Sequence, residues 1–248
     1  MLGWRSALDD FLKHAAVTQP TAATRQHAIT YRSWLLTRLS PSSVKTRLAY
    51  LCGLWSVLHE LNPEYVHVFQ GLNKWIKIVK TKKPEITITD PAEWIGAGEQ
   101  MEIFQFLYFT GARLAEIAGL RAEDLLDDRI LIQPNESRPL KTDSSERSIP
   151  IHTRLKPLAM ELRKKKGFLW PGQYQDSNKR WGVNLSKPCR RIIGISPKGF
   201  RDRAATILRL NNMNEAVVVA LLGHTPNSIS MAYGATPWSE LKRAVELL

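Results

Sequence analysis

Apolar residues recur at helical spacing along most of this chain, and proline or glycine closes the runs before any can become long. That pattern favours short helices packed by one face and leaves little room for a large sheet. Residues 4–15 put Leu8, Phe11 and Leu12 on one face, and 23–39 offers Ile29, Trp34, Leu35 and Leu36 as core. Ser40-Pro41-Ser42-Ser43 breaks the chain and starts a third helix to about residue 60, carrying Val44, Leu48, Leu51, Leu54, Trp55 and Leu58. A fourth is expected from Asn62-Pro63 to about residue 79. Residues 80–90 are cationic and interrupted by Pro84, which suits a linker, drawn most tightly at 84–90. Beyond it, helices over 99–109 and 113–120 precede strand-like runs at 129–133 and 148–151, with Thr142-Asp143-Ser144-Ser145 as the turn between them. Helices then continue to the C-terminus. The expected fold is mainly α with a small β-hairpin (α+β), divided into a helical unit over 1–83 and a larger mixed one over 91–248.

Charge narrows the choice of partner. The 248 residues carry a formal net charge of +12. Residues 1–83 hold 12 Lys and Arg against 4 Asp and Glu, while 84–248 hold 23 against 19. Solubility alone requires no such asymmetry, so the basic first third points to a polyanion, nucleic acid before a membrane surface. The longest apolar run, 216–222, is too short to span a bilayer, and no basic amphipathic helix with a bulky apolar face is present. The N-terminal stretch mixes Arg5, Asp9 and Asp10 with its apolar residues and is no secretory signal. Cys52 and Cys189 are too few for a disulfide framework or a thiolate metal cage, so a reducing cytoplasm is expected.

Four segments bear chemistry of one kind. In TGARLAEIAGL (110–120), Gly111 breaks a helix, Arg113 enters the first turn of the next, and Glu116 follows one turn later. Leu114, Ile117 and Leu120 form that helix's buried stripe. Lys141 stands beside the turn of the expected hairpin. In SPKGFRDRAATIL (196–208), Ser196 can cap and Pro197 can open a helix on which Lys198 and Arg201 share a face. In LLGHTPNSISMAYG (221–234), Gly223 ends a helix, His224 follows, and Tyr233 comes nine residues later. Each has a plain structural alternative: a core tyrosine, a satisfied histidine, an arginine merely paired with Glu116.

Taken together and in this order, the segments resemble the tyrosine recombinase, or phage integrase, family. That resemblance implies a catalytic domain over about 91–248, preceded by a helical core-binding domain on DNA. It implies a site of Arg113, Lys141, Lys198, Arg201, His224 and Tyr233, with Lys198 standing where the family usually has histidine and Asp202 where it often has another. It further implies double-stranded DNA as partner, a monomer off DNA and a homotetramer on paired sites, and no metal or other cofactor. The resemblance implies either that the arm-binding domain many family members carry is lacking here or that the chain is a fragment. The setting implied is the cytoplasm of a bacterium or archaeon, or a phage-encoded protein acting there.

The chemistry explains the residue types. A phenol attacking a phosphodiester builds negative charge on the non-bridging oxygens, and fixed cations must meet it. Arginine binds phosphate bidentately and stays protonated. The tyrosine, with a pKa of about 10 in water, is helped toward phenolate by neighbouring cations. A lysine on a hairpin can protonate the leaving 5′-oxygen. The expected activity is site-specific cleavage and rejoining of DNA through a 3′-phosphotyrosyl bond, for integration or excision of a mobile element. A DNA-binding protein on the same scaffold without strand exchange, and a type IB topoisomerase, remain the alternatives. The apolar stripe of the last helix (Leu241, Ala244, Val245 and Leu248 within 239–248) requires a docking surface, either its own domain or, as the resemblance implies, a neighbouring protomer.

Overall fold

A computed structural model describes residues 2–74, 76–78, 88–94, 97–138, 145–175, 180–224 and 236–248. The chain divides into two compact units, Met1–Lys83 and Pro84–Leu248.

The first unit packs α1 (Leu2–Ala15), α2 (Arg25–Leu36) and α3 (Pro41–Leu61) around an aromatic centre. The Phe11 ring meets Tyr31, Trp55 and Phe69 edge-on, with centroids 5.2, 5.5 and 4.8 Å away. Caps set the helix starts: Thr24 Oγ1 accepts from the His27 amide, and Ser40 Oγ from the Ser43 amide just before Pro41. The expected fourth helix is absent among the described residues of 62–78, which form turns instead. Gly71, at φ +74°, departs from helical geometry. The Arg25 guanidinium occupies the Val68 and Gln70 carbonyls at 2.8 and 2.7 Å, acceptors that a helix would need for itself. Val68, Phe69, Leu72 and Ile76 still bury their side chains. Leu36, expected in the core, is 44% exposed; Ala28, Tyr31 and Leu35 take the inner face of α2.

The second unit is built on α4 (Glu99–Thr110), a helix buried on almost every side. It is followed by α5 (Leu114–Ala118), β1 (Arg129–Ile132), β2 (Arg147–Pro150), α6 (Lys156–Leu162), the short strands β3 (Tyr174–Gln175) and β4 (Arg180–Trp181), α7 (Ser186–Ile193), α8 (Pro197–Leu210), α9 (Glu215–Leu222) and α10 (Trp238–Glu246). β1 and β2 pair antiparallel with Ile130 opposite Ile149 and Ile132 opposite Arg147. The mainly helical α+β expectation holds. No described helix is long and apolar enough to cross a membrane.

α10 docks on its own unit. Leu241, Ala244, Val245 and Leu248 are buried in the core of their own unit. The Leu248 carbonyl accepts from Arg203 Nη2 at 2.7 Å, and Glu246 accepts from the Thr153 hydroxyl at 2.8 Å. The stripe is thus covered in cis, the first of the two docking surfaces expected for it.

Candidate active site

Three helix ends meet at one corner. α4 ends at Gly111, left-handed at φ +60°, where a Cβ would come within 2.7 Å of Ala204 Cβ and 2.8 Å of Leu222 Cδ2. Only glycine fits the backbone conformation and the gap together. The Thr110 hydroxyl donates to the Phe106 carbonyl and accepts from the Ala112 amide, which fixes the exit from α4. Arg113 therefore stands just before α5, at its cap position, and not within its first turn as expected. α9 likewise closes on a left-handed glycine, Gly223 at φ +64°, after which the His224 amide donates to the Val219 carbonyl at 3.1 Å.

Arg113 is tied on three sides. Its Nη1 donates to Glu116 Oε1 at 2.6 Å and Ser145 Oγ at 3.1 Å, and its Nη2 to the Gly223 carbonyl at 2.8 Å. Glu116 is buried, and burial works against its charge. The charge and hydrogen bond of Arg147, then the bonds from the Arg113 amide and guanidinium, overcome that penalty and hold the carboxyl below its usual range. Arg201, on α8, is buried and donates from Nη1 to the Gly111 carbonyl at 3.1 Å. Its Nη2 has no hydrogen-bond partner among the described residues. Burial, then the positive charge of Arg113, lowers the Arg201 pKa to about 10. Burial also lowers the His224 pKa, with Arg201, Arg113, Arg209 and Arg147 adding repulsion. Arg113, Arg201 and His224 thus act on one another's charge at a single corner.

Lys198 is placed differently. Its ammonium is paired with the Asp202 carboxylate at 2.7 and 2.8 Å, and its side chain is 67% exposed, while Arg201 on the same helix is buried. Both lie on α8 three residues apart, as expected, but the Lys198 ammonium is turned to Asp202 one turn on. Ser196 makes no side-chain cap to α8, contrary to expectation. Lys141 and Tyr233 lie outside the described residues. In sequence, Lys141 falls between β1 and β2, and Tyr233 between α9 and α10.

Sequence reasoning passed over Arg147, Arg138 and Ser145, all of which belong to this corner. Arg147, on β2, is almost wholly buried; it donates to Leu221 O (2.8 Å), Ser145 O (2.7 Å) and Glu116 Oε2 (3.0 Å). Arg138 donates to the Glu116 carbonyl at 2.6 Å, so the helix carrying Glu116 is held from behind. The alternation Arg147, Ile149, Ile151 on one strand face was a signal available in the sequence, since both isoleucines are buried. No group of three or more His, Cys, Asp and Glu side chains among the described residues is placed to hold a metal.

A mostly helical unit with two small antiparallel strand pairs, holding two arginines and a histidine at converging helix ends, fits the catalytic domain that the sequence resemblance implies. The comparisons agree. The sequence is 25% identical over 216 residues to the integrase of Escherichia phage P2, a match covering 84% of this chain and 60% of that protein. The chain thus spans about three-fifths of that relative's length. Among solved structures, the Tn1549 transposon integrase in complex with a circular intermediate DNA superposes with a TM-score of 0.64 at 14% identity, covering 96% of this chain and 90% of that one. A lambda integrase dimer bound to a core site superposes at 0.59 and 12% identity, covering 92% and 85%. No protein-family model matches the sequence. The resemblance to the tyrosine recombinase, or phage integrase, family stands in sequence and in fold.

Proposed function

We propose that this chain is a site-specific DNA recombinase that cleaves and rejoins duplex DNA through a 3′-phosphotyrosyl intermediate, serving integration or excision of a mobile element. The observation that carries the reading is the unmatched cationic corner. Arg201 is buried, feels the charge of Arg113, and has one guanidinium nitrogen with no hydrogen-bond partner among the described residues, an arrangement that a phosphate oxygen would complete. In this reading the scissile phosphate sits between Arg113 and Arg201, and His224, held neutral by its surroundings, donates a hydrogen bond to a non-bridging oxygen. Tyr233 Oη attacks phosphorus, the 5′-oxygen leaves with a proton from Lys141, and the bond to tyrosine keeps the ester for the return attack by a 5′-hydroxyl. Lys198, exposed beside Asp202, serves as an outer phosphate contact.

The N-terminal unit, 1–83, is the core-binding domain in this reading and 84–90 its linker. Its net +8 suits the DNA backbone. The printed descriptions of the Tn1549 and lambda proteins, both bound to DNA, support double-stranded DNA as the partner. Assembly in this reading is monomeric off DNA and tetrameric on paired sites.

The test is a duplex nicked next to the crossover point, so that the cleaved strand diffuses away and the adduct persists. Wild-type protein should become attached to DNA in an SDS-resistant form, and Tyr233→Phe should bind the duplex without attaching. Trapping by Tyr233→Phe would overturn the assignment of the nucleophile. Relaxation of supercoiled plasmid without exchange between two sites would replace the recombinase by a topoisomerase.

A further inference from the structure

Arg147 is a buried charge of the second unit bonded to three acceptors, and the chemistry proposed above does not use it. Its guanidinium points in three directions at acceptors from three elements: Ser145 O at the start of its own strand, Leu221 O in the last turn of α9, and Glu116 Oε2 on α5. Arg113 grips the same three places from the solvent side, through Ser145 Oγ, Gly223 O and Glu116 Oε1. The two arginines therefore share one carboxylate, with Arg147 beneath it and Arg113 above. Room for the lower one comes from Gly223, where a Cβ would lie 2.6 Å from Arg147 Nη1.

We propose that Arg147 is a positioning residue that acts through Arg113. By neutralising Glu116 from below, it leaves the Arg113 charge available to an anion. By bonding the return strand of the hairpin to the end of α9, it ties that strand to the corner carrying His224. Without Arg147, Glu116 turns fully onto Arg113, forms a closed fork pair and draws the guanidinium away from the phosphate position. The role needs the planar three-way fork of arginine, which a lysine ammonium cannot reproduce across these acceptors. This inference rests on the reading of the corner as a phosphate site.

The experiment is a double-mutant cycle on single-turnover cleavage of the nicked duplex, using the full chain. Arg147→Met should slow cleavage by about 10- to 100-fold, as expected for misplacement of a reacting group, with duplex affinity unchanged. In an Arg113→Ala background the same change should cost less than about threefold, because the residue through which it acts is already gone. Losses that multiply in the double variant, or wild-type cleavage by Arg147→Met, overturn the proposal. Should Arg147→Met not fold, Arg147→Lys carries the same cycle with the charge retained, with the same outcomes deciding it. The Arg113 guanidinium NMR signal is a readout free of cleavage: it should shift in either variant, and an unmoved signal sinks the positioning role. If the wild-type protein leaves no adduct on DNA, the recombinase reading fails, and that signal still decides the role of Arg147 in holding Arg113.

Discussion

Replacing Gly111 by alanine should be the costliest single methyl that can be added near the site. Two separable penalties arise. The backbone sits at φ +60°, and a left-handed non-glycine residue costs about 1–2 kcal/mol. The new Cβ would stand 2.7 Å from Ala204 Cβ and 2.8 Å from Leu222 Cδ2. Leu222 can rotate, but Ala204 Cβ moves only with its helix, so overpacking adds about 1–3 kcal/mol. The total, about 2–5 kcal/mol, is a large share of the roughly 5–15 kcal/mol that a native protein has to lose. Urea unfolding of the full chain, followed by hydrogen exchange at the α4 and α8 amides, reads the loss in the unit concerned. Ala204→Gly removes one of the two close contacts, so Gly111→Ala and Ala204→Gly should couple favourably by about 1 kcal/mol, leaving the backbone strain in place. The same push shifts the Gly111 carbonyl that anchors Arg201, so cleavage should fall further than stability alone explains. A Gly111→Ala protein within about 0.5 kcal/mol of wild type would refute the account of this corner.

Other outcomes follow from the same geometry. Arg113→Ala and Arg201→Ala should each cut cleavage by roughly a hundred- to a thousand-fold, the cost of losing one oxyanion contact, while affinity for uncleaved duplex changes little; equal loss of both would reduce them to ordinary backbone contacts. The His224 ring should titrate below 6.5 in the free protein, so the neutral ring's contribution to stability is lost as pH falls from about 6.5 toward the lowered folded value. Bound DNA phosphate should raise that pKa and make binding tighter with falling pH; an NMR titration that does not move on DNA binding would count against phosphate at this corner. Cys189, whose thiol burial pushes up to about 12, should resist a thiol reagent in the native chain while the half-buried Cys52 reacts first, as mass spectrometry of the labelled peptides would show. Leu241→Ala should destabilise the protein without DNA present by about 2–5 kcal/mol, because α10 packs in cis; an unchanged melting temperature would return its stripe to a neighbour.

Much of the second unit was legible because local signals and packing agreed there. Gly111 and Gly223 end helices, as their sequence contexts indicate, since no other residue is at ease in those left-handed positions. The hairpin followed from two β-branched runs around a polar turn, and the observed strands differ from the expected bounds by a residue. The fourth helix of the first unit failed for a tertiary reason. The Arg25 side chain, more than forty positions away in sequence, captures the Val68 and Gln70 carbonyls, and no window of local sequence contains that partner. Lys198 lies on α8 as expected, but its ammonium pairs with Asp202 at i+4 because opposite charge favours that neighbour over Arg201 at i+3. Arg147 was missed because a charged residue at a strand end reads as solvent-facing, although its pairing opposite buried Ile132 puts it inside.

The distribution of carboxylates explains why the unmatched charge falls on Arg201. Three arginines of this corner, Arg138, Arg147 and Arg201, are pushed below their usual pKa by burial, and each needs compensation. Arg147 has Glu116 at 3.0 Å, and Arg138 has Asp124 at 3.5 Å together with two backbone carbonyls. The nearest acid in sequence to Arg201 is Asp202, which is engaged by Lys198, and the hydrogen bond found for the Arg201 guanidinium among the described residues is to a backbone carbonyl. A carboxylate placed on Arg201 would stabilise the free protein, yet it would occupy the position an incoming phosphate needs and would repel it. In the proposed reading, leaving Arg201 without a bonded carboxylate among the described residues costs stability in the free chain and favours a ligand that brings negative charge. Arg138 and Arg147, each matched to an acid, carry no such bias. In the proposed reading Arg138 and Arg147 are charges spent on structure, and Arg201 is the charge kept for a partner.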